Sequence, residues 1–367
     1  MENKKKSILF VAPFPPPVHG SAMMSQYIRN CESLVNTYRC DFINLSTSRE
    51  MNEIGHFSFR KIIRFISSFL GFIGKILTRR YDICYLAITC HGSGFLKDMS
   101  FVLFAKMFSK QVVLHQHNKG MSKFIHRQPY KWLFPLVYSK TKVILLSWHL
   151  YNDIENVVNK EQVLICPNGI PSLPGSKECQ HHSYSVPHIL FLSNLIPSKG
   201  VYVLLNACQI LKTKGIKFKC AFVGGETKEI NRDSFEDEVL KRDLKSECVY
   251  YGPKYGDEKV DFLKWADIFV QPTYEDCFPL TILEAMQFRL PVISTDEGAI
   301  PDLVLDGVTG FVCQQHNFDD LAIKLSILLK DEFKCRKMGE AGALRFEKFF
   351  SKEIFQRNFL SLINEII

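Results

Sequence analysis

The chain has 367 residues, 46% of them apolar and 23% charged, with a formal net charge of +8. These values are those of an ordinary globular protein and exclude a disordered, collagen-like or coiled-coil chain; the length suits about two domains. No apolar run reaches the ~18 residues of a membrane span, and the longest candidate, Phe65–Ile73, is half that.

The basic residues of MENKKKSILFVAPFPPP precede only a short apolar run that enters prolines, which reads as a first strand rather than a secretory leader. The expected location is therefore cytoplasmic. Strands are expected at Ser7–Val11, Cys40–Leu45, Ile83–Leu86, Gln111–His115, Lys142–Leu146 and Gln162–Cys166. Helices fall between them, at about Ser21–Val35, Phe59–Leu77, Phe95–Phe108, Ile125–Tyr138 and Trp148–Val157. Such alternation predicts parallel sheets with crossover helices. The stretch PSLPGSKECQHHSYSVP has no apolar period and reads as a linker over 171–186, after a first domain of 1–170. The alternation then restarts over 187–345. Strands are expected at Ile189–Ser193, Phe218–Val223, Cys248–Tyr251, Asp267–Val270 and Val292–Ser294. Helices are expected at about Gly200–Leu211, Phe235–Leu244, Lys259–Trp265, Leu280–Phe288 and Asp319–Leu329. Residues 346–367 read as a terminal helix that crosses back to the first domain. The 12 cysteines are scattered with no Cys-x-x-Cys pair, so neither a zinc site nor a redox dithiol is expected.

Charge is unevenly spread. Residues 1–180 carry 23 basic and 11 acidic side chains, a net +12, which leaves the remainder at −4. A basic half calls for an anionic partner. The segment Phe57–Tyr81 holds six basic residues, no acidic one, and apolar residues at helical spacing, which suits an interfacial helix on anionic lipid. Its basic residues interleave with aliphatics instead of forming a polar groove, so nucleic acid is not the expected partner.

Five segments carry the chemistry. In YEDCFPLTILEAMQ a helix starts after Pro279, and its free N–H groups and dipole make an anion site near Leu280 and Thr281. Glu284 is the only charge among apolar neighbours there, so its carboxylate must find donors, which sugar hydroxyls would supply. Asp276 sits in the preceding loop. In FLSNLIPSKG, Lys199 lies at a helix start, where it opposes the dipole unless an anion lies between them. VAPFPPPVHGS brings a proline-rich loop and Gly20 to a helix start, where backbone approaches a phosphate or substrate. In LHQHNKG, His115 and His117 alternate along a strand end and face one side. ICPNGI is a turn. Neither the Walker pattern nor G-x-G-x-x-G is present, which removes the main support for a kinase or dinucleotide reading.

Taken in order, these segments resemble the retaining GT-B glycosyltransferases of the group 1, or family 4, type. Asp276 through Glu284 resembles the family's Glu-x7-Glu signature, Leu290–Phe311 its downstream segment, and Phe191–Gly200 its donor-phosphate motif. The resemblance implies an α/β GT-B fold of two Rossmann-like domains facing each other across a cleft, an N-terminal acceptor domain and a C-terminal nucleotide-sugar domain. It implies a UDP-linked donor as the commonest case, no cofactor and no metal. By position, Lys199 would bind the donor diphosphate, Glu284 the ribose hydroxyls, and the amides of Leu280 and Thr281 the phosphates. Asp276 would contact the transferred sugar, with His117 near it. Gly20, Asn194 and Gly224 would complete the donor site. The family's first Glu is Asp276 here, with Glu275 beside it. Its phosphate-binding Arg is Asn194, and its first-loop Gly-Gly is His19-Gly20. The expected function is transfer of a sugar to a lipid-linked glycan acceptor at the inner face of the plasma membrane, in bacterial capsule or surface polysaccharide synthesis. The alternative is a non-catalytic nucleotide-sugar-binding or scaffold subunit.

Overall fold

A computed structural model describes residues 5–48, 58–176 and 186–367. The chain divides into two compact units. One comprises the residues up to Gly169 together with Lys352–Ile367, and the other Ile170–Ser351.

The first unit alternates β1 (Ser7–Ala12), α1 (Gly20–Arg29), α2 (Glu32–Thr37), β2 (Arg39–Asn44), α3 (Phe59–Thr78), β3 (Ile83–Ile88), α4 (Gly92–Phe108), β4 (Gln111–Gln116), α5 (Tyr130–Tyr138), β5 (Lys142–Leu145) and β6 (Val163–Ile165). Every strand pair is parallel and the sheet order is β2-β1-β3-β4-β5-β6. β3 is buried along its whole length, as a strand covered on both faces must be. The order reverses at β1, so a crevice opens beyond the carboxyl ends of β1 and β3.

The helix expected over Ser21–Val35 is two helices, because α1 closes where Asn30 N–H donates to the Gln26 carbonyl and Cys31 N–H to the Ile28 carbonyl. The helix expected from Ile125 starts only at Tyr130, after Pro129. Trp148–Asp153 is a 3-10 turn where a helix to Val157 was expected. Here a tertiary contact competes: the Asp153 carboxylate accepts from the N–H groups of Gly120, Met121 and Ser122 and from the Ser122 hydroxyl. α3 is held to β2 by Asp41, which takes Lys75 Nζ at 2.6 Å, Arg79 at 3.2 Å and the Tyr81 hydroxyl at 3.0 Å.

The second unit runs β7 (His188–Leu192), α6 (Val201–Thr213), β8 (Lys219–Val223), α7 (Arg232–Lys241), β9 (Cys248–Tyr250), α8 (Gly256–Trp265), β10 (Ile268–Gln271), α9 (Leu280–Gln287), β11 (Val292–Thr295), α10 (Ile300–Leu303), β12 (Gly310–Cys313), α11 (Phe318–Lys330) and α12 (Glu332–Phe349). Its sheet is also parallel, in the order β12-β11-β10-β7-β8-β9, with the reversal at β7. The edge strand β12 was not expected: its Phe311 and Val312 are only half-buried, so it lacks the apolar run of an inner strand. α12 packs on α9 so closely that a Cβ on Gly339 would lie 1.8 Å from the Arg289 carbonyl oxygen.

Of the expected linker, 177–185 lies outside the described residues. Its first part is tied down: Leu173 N–H donates to Gln287 Oε1, Gln287 Nε2 donates to the Pro171 carbonyl, and Arg289 donates to the Ser176 carbonyl. The terminal helix expected from residue 346 belongs to the second unit as far as Phe349. α13 (Lys352–Ile366) alone belongs to the first unit, where Phe355, Phe359 and Ile363 are buried and Phe359 stands 5.5 Å from the Tyr85 ring.

Candidate functional site

The second unit places its polar groups at the sheet's reversal, beyond the carboxyl ends of β7 and β10. A 3-10 turn at Pro197–Lys199 follows β7, and Gly200, with φ +87°, turns the chain into α6. A Cβ at Gly200 would lie 2.2 Å from the Pro272 carbonyl oxygen, so the two loops touch here. Across that contact Lys199 Nζ reaches Asp276 Oδ2 at 2.6 Å and the Glu275 carbonyl at 3.0 Å. The anion that the sequence demanded beside Lys199 is thus present within the chain: it is Asp276. The carboxylate is fixed from three sides, since Oδ1 accepts from Cys277 N–H at 2.9 Å and Oδ2 also accepts from Gln271 Nε2 at 3.3 Å.

Gln271 links this pair to α9. Its Oε1 accepts the Thr281 hydroxyl at 2.7 Å, in the first turn of a helix that no side chain caps and that has no acidic residue there. The uncapped amides of Leu280 and Thr281 and the Lys199 ammonium give this end of the unit the character of an anion site. Four residues along α9, and so about one turn further, Glu284 Oε1 accepts Lys259 Nζ at 2.7 Å. The lone charge read in this helix therefore has a protein partner. Its Oε2 is buried without one. A carboxylate with one oxygen neutralised and the other bare is suited to accept a ligand hydroxyl.

Asn194 and Gly224 are both engaged within the unit. Asn194 Oδ1 accepts from Gly225 N–H at 2.9 Å, and Gly224 N–H donates to the Gly252 carbonyl at 3.0 Å. The two amides are engaged by the protein, so Gly224 serves by close approach: a Cβ there would lie 1.9 Å from the Ser193 carbonyl oxygen. Gly224→Ala is expected to cost about 1–3 kcal/mol through overpacking. For a unit of this size that lowers the thermal midpoint by roughly 2–4 °C per kcal/mol, read by calorimetry.

Sequence reasoning missed Gln271, Lys259 and Glu297. Gln271 ends an otherwise apolar strand and is buried, a polar residue that needed partners. Glu297 is buried and its Oε1 accepts from Asp276 N–H at 3.0 Å. Lys259 lies on α8 and nothing local marks it.

The first unit holds a cavity of about 430 Å³ beyond its strand ends, lined by His19, Gly20, Thr89, Asp98, His117 and Asn118 among others. Gly20 opens α1, and the helix is capped by the His19 ring, whose Nδ1 accepts from Ala22 N–H. This gives His19 a local reason to stand where the family has Gly. The His115 and His117 rings lie with centres 4.0 Å apart, tilted by 32°. His115 Nδ1 pairs with the Tyr85 hydroxyl at 2.7 Å, while both His117 nitrogens are buried and unpartnered.

Burial drives the His117 pKa down to about 3, with the charge of His19 acting in the same direction, and burial takes His115 well below its usual value. An unfolded histidine titrates near 6.5. Below that pH the unfolded chain binds protons that the fold refuses, so stability is fully present above about 6.5 and falls as pH drops toward 3. Melting curves from about pH 7.5 to 4.5 should show this decline, and His117→Asn should flatten part of it.

Residues 181–345 match the family described as glycosyl transferases group 1. An uncharacterized glycosyltransferase of Methanocaldococcus jannaschii is 25% identical over 353 residues, 96% of this chain and 83% of its own. A capsular polysaccharide biosynthesis glycosyltransferase of Staphylococcus aureus is 25% identical over 177 residues, 48% of this chain and 46% of its own. Among solved structures, Anabaena HepE in complex with UDP and glucose superposes with a TM-score of 0.71 at 15% identity, over 98% of this chain and 99% of that one. With two parallel Rossmann-like sheets and the superposition on HepE, this chain has the GT-B fold, and its second unit carries the match to the group 1 glycosyl transferases.

Proposed function

We propose that the chain is a retaining, metal-independent hexosyl- or N-acetylhexosaminyl-transferase that moves a sugar from a nucleotide-diphosphate donor, UDP-linked, to a membrane-associated glycan in surface polysaccharide synthesis. The observation that carries this reading is the Lys199–Asp276 pair tied through Gln271 to the uncapped start of α9, with Glu284 Oε2 bare one turn on. A diphosphate entering there exchanges Asp276 for phosphate as the partner of Lys199, and the first-turn amides share its charge. As the glycosidic bond breaks, negative charge grows on the leaving diphosphate, and these donors are already aimed at it. Asp276, released from Lys199, is free to accept hydroxyls of the transferred sugar. The capsular and UDP-bound relatives support the polymer and the base.

The membrane-linked acceptor rests on α3. Phe59, Ile63, Ile66, Leu70 and Leu77 are exposed on it, beside Arg60, Lys61 and Arg64. Among the described residues no helix is long and apolar enough to cross a membrane. An amphipathic helix of this kind suits the plane of an anionic surface.

The test is a thermal-shift panel with UDP, GDP, ADP and CMP, followed by UDP-sugar turnover on a lipid-linked acceptor, with and without a chelator. A shift for UDP and chelator-resistant turnover with retained anomeric configuration are expected. Binding without turnover on any acceptor would overturn the catalytic reading in favour of a donor-binding subunit.

A further inference from the structure

Three cysteines far apart in sequence meet inside the second unit. Cys208 lies on α6, Cys220 on β8 and Cys248 on β9, and Cys220 and Cys248 are directly paired across the parallel strands. Their sulfur atoms all lie within 4.8 Å of one another. They share one hydrophobic cluster with Leu204, Leu211, Phe222 and Leu244 and are at most 3% exposed. Their spacing along the chain gave no sign of this juxtaposition.

We propose that Cys208, Cys220 and Cys248 form a buried site for a soft, low-coordinate cation of the Cu(I) type. Sulfur ligands select Cu(I), zinc and iron–sulfur clusters over hard ions. Three thiols alone discriminate further. A structural zinc site is closed by four ligands, and among the described residues no fourth His, Cys, Asp or Glu joins this group. A monovalent ion also needs fewer ionised sulfurs for neutrality than a divalent one, which matters in an apolar core. The geometry is near what is required: bonds of about 2.3 Å in a trigonal plane set the sulfurs about 4.0 Å apart, so the cluster contracts by less than 1 Å at its widest.

Each thiol that ionises on binding the ion releases its proton to solvent while the copper keeps its oxidation state. β9 is the edge strand of its sheet, so the cluster lies at the sheet's margin.

The experiment is anaerobic titration of the reduced full-length chain with Cu(I) held by a chromogenic chelator. Wild type is expected to withdraw one equivalent, and Cys220→Ser and Cys248→Ser none, with circular dichroism confirming that both variants fold. No withdrawal by wild type, or an unchanged equivalent in folded Cys220→Ser, overturns the proposal. Copper-edge X-ray absorption on loaded wild type needs no variant: three sulfur neighbours are expected, and a nitrogen- or oxygen-containing shell overturns the assignment. The site is distinct from the donor site, so UDP binding by the copper-free chain reads the function proposed above separately.

Discussion

Lys199→Ala is expected to lower kcat/KM for the nucleotide-sugar donor about 100- to 1000-fold, the range found when a preorganised donor to a developing anion is removed. Lys199 Nζ stands 2.6 Å from Asp276, and its partner carboxylate keeps two other donors, Gln271 Nε2 and Cys277 N–H. The fold therefore loses little: the pair is about one-fifth exposed at the lysine, and partly exposed ion pairs contribute about 1 kcal/mol or less. The effect should fall mainly on kcat, because charge on the diphosphate is greater in the transition state than in the ground state. Steady-state kinetics beside a melting curve check both halves. Asp276→Asn separates the two partners. If Asp276 served only to park Lys199, the variant would free the lysine and tighten UDP binding without loss of turnover; if it contacts the sugar as proposed, UDP binding holds and kcat falls.

Glu284→Gln is expected to weaken the donor nucleotide about 10- to 100-fold, the worth of roughly 1.5–3 kcal/mol for hydrogen bonds to a charged acceptor. The amide keeps the carboxylate's shape and can still accept Lys259 Nζ, so the helix start is preserved while the bare Oε2 is replaced. The diagnostic is the sugar of the nucleotide. Wild type should prefer UDP over 2′-deoxy-UDP, and Glu284→Gln should bind the two with nearly equal affinity, as measured by calorimetric titration. A preference that survives the substitution would place the ribose elsewhere. Lys259→Met serves as the complement. It leaves a carboxylate only 15% exposed without its ion partner, and loss of stability rather than of ribose selectivity is the expected result.

Much of this chain was legible in one dimension. The alternation of short β-rich runs with helical stretches determined two parallel sheets, because a buried parallel strand must be apolar on both faces and its crossover must be helical. Ten of the twelve strands among the described residues follow from such runs within a residue or so at each end. The order of the Lys199, Asp276 and Glu284 segments carried the resemblance to the group 1 glycosyltransferases, with Lys199 and Asp276 in loops that follow strands and Glu284 in the helix after the second loop. Asn30, Pro129 and Asp153 are different: the first two bound their helices within local sequence, whereas Asp153 takes N–H groups such as that of Gly120, 33 positions away, which no local pattern encodes.

What only the tertiary structure decided is which groups meet. Lys199 and Asp276 lie 77 positions apart and Lys259 and Glu284 lie 25 apart, yet each pair is joined at hydrogen-bond distance because the sheet order sets neighbours, not sequence distance. Gln271 looked like the tail of an apolar strand and is the bridge from Asp276 to the start of α9. His117 reads in sequence as one of two strand-end histidines, and its neutral state comes from the burial around it. Cys208, Cys220 and Cys248 show the same rule most sharply: scattered along the chain, they are gathered by one helix packing over two paired strands, because contacts in a parallel sheet are made between elements that the chain visits far apart.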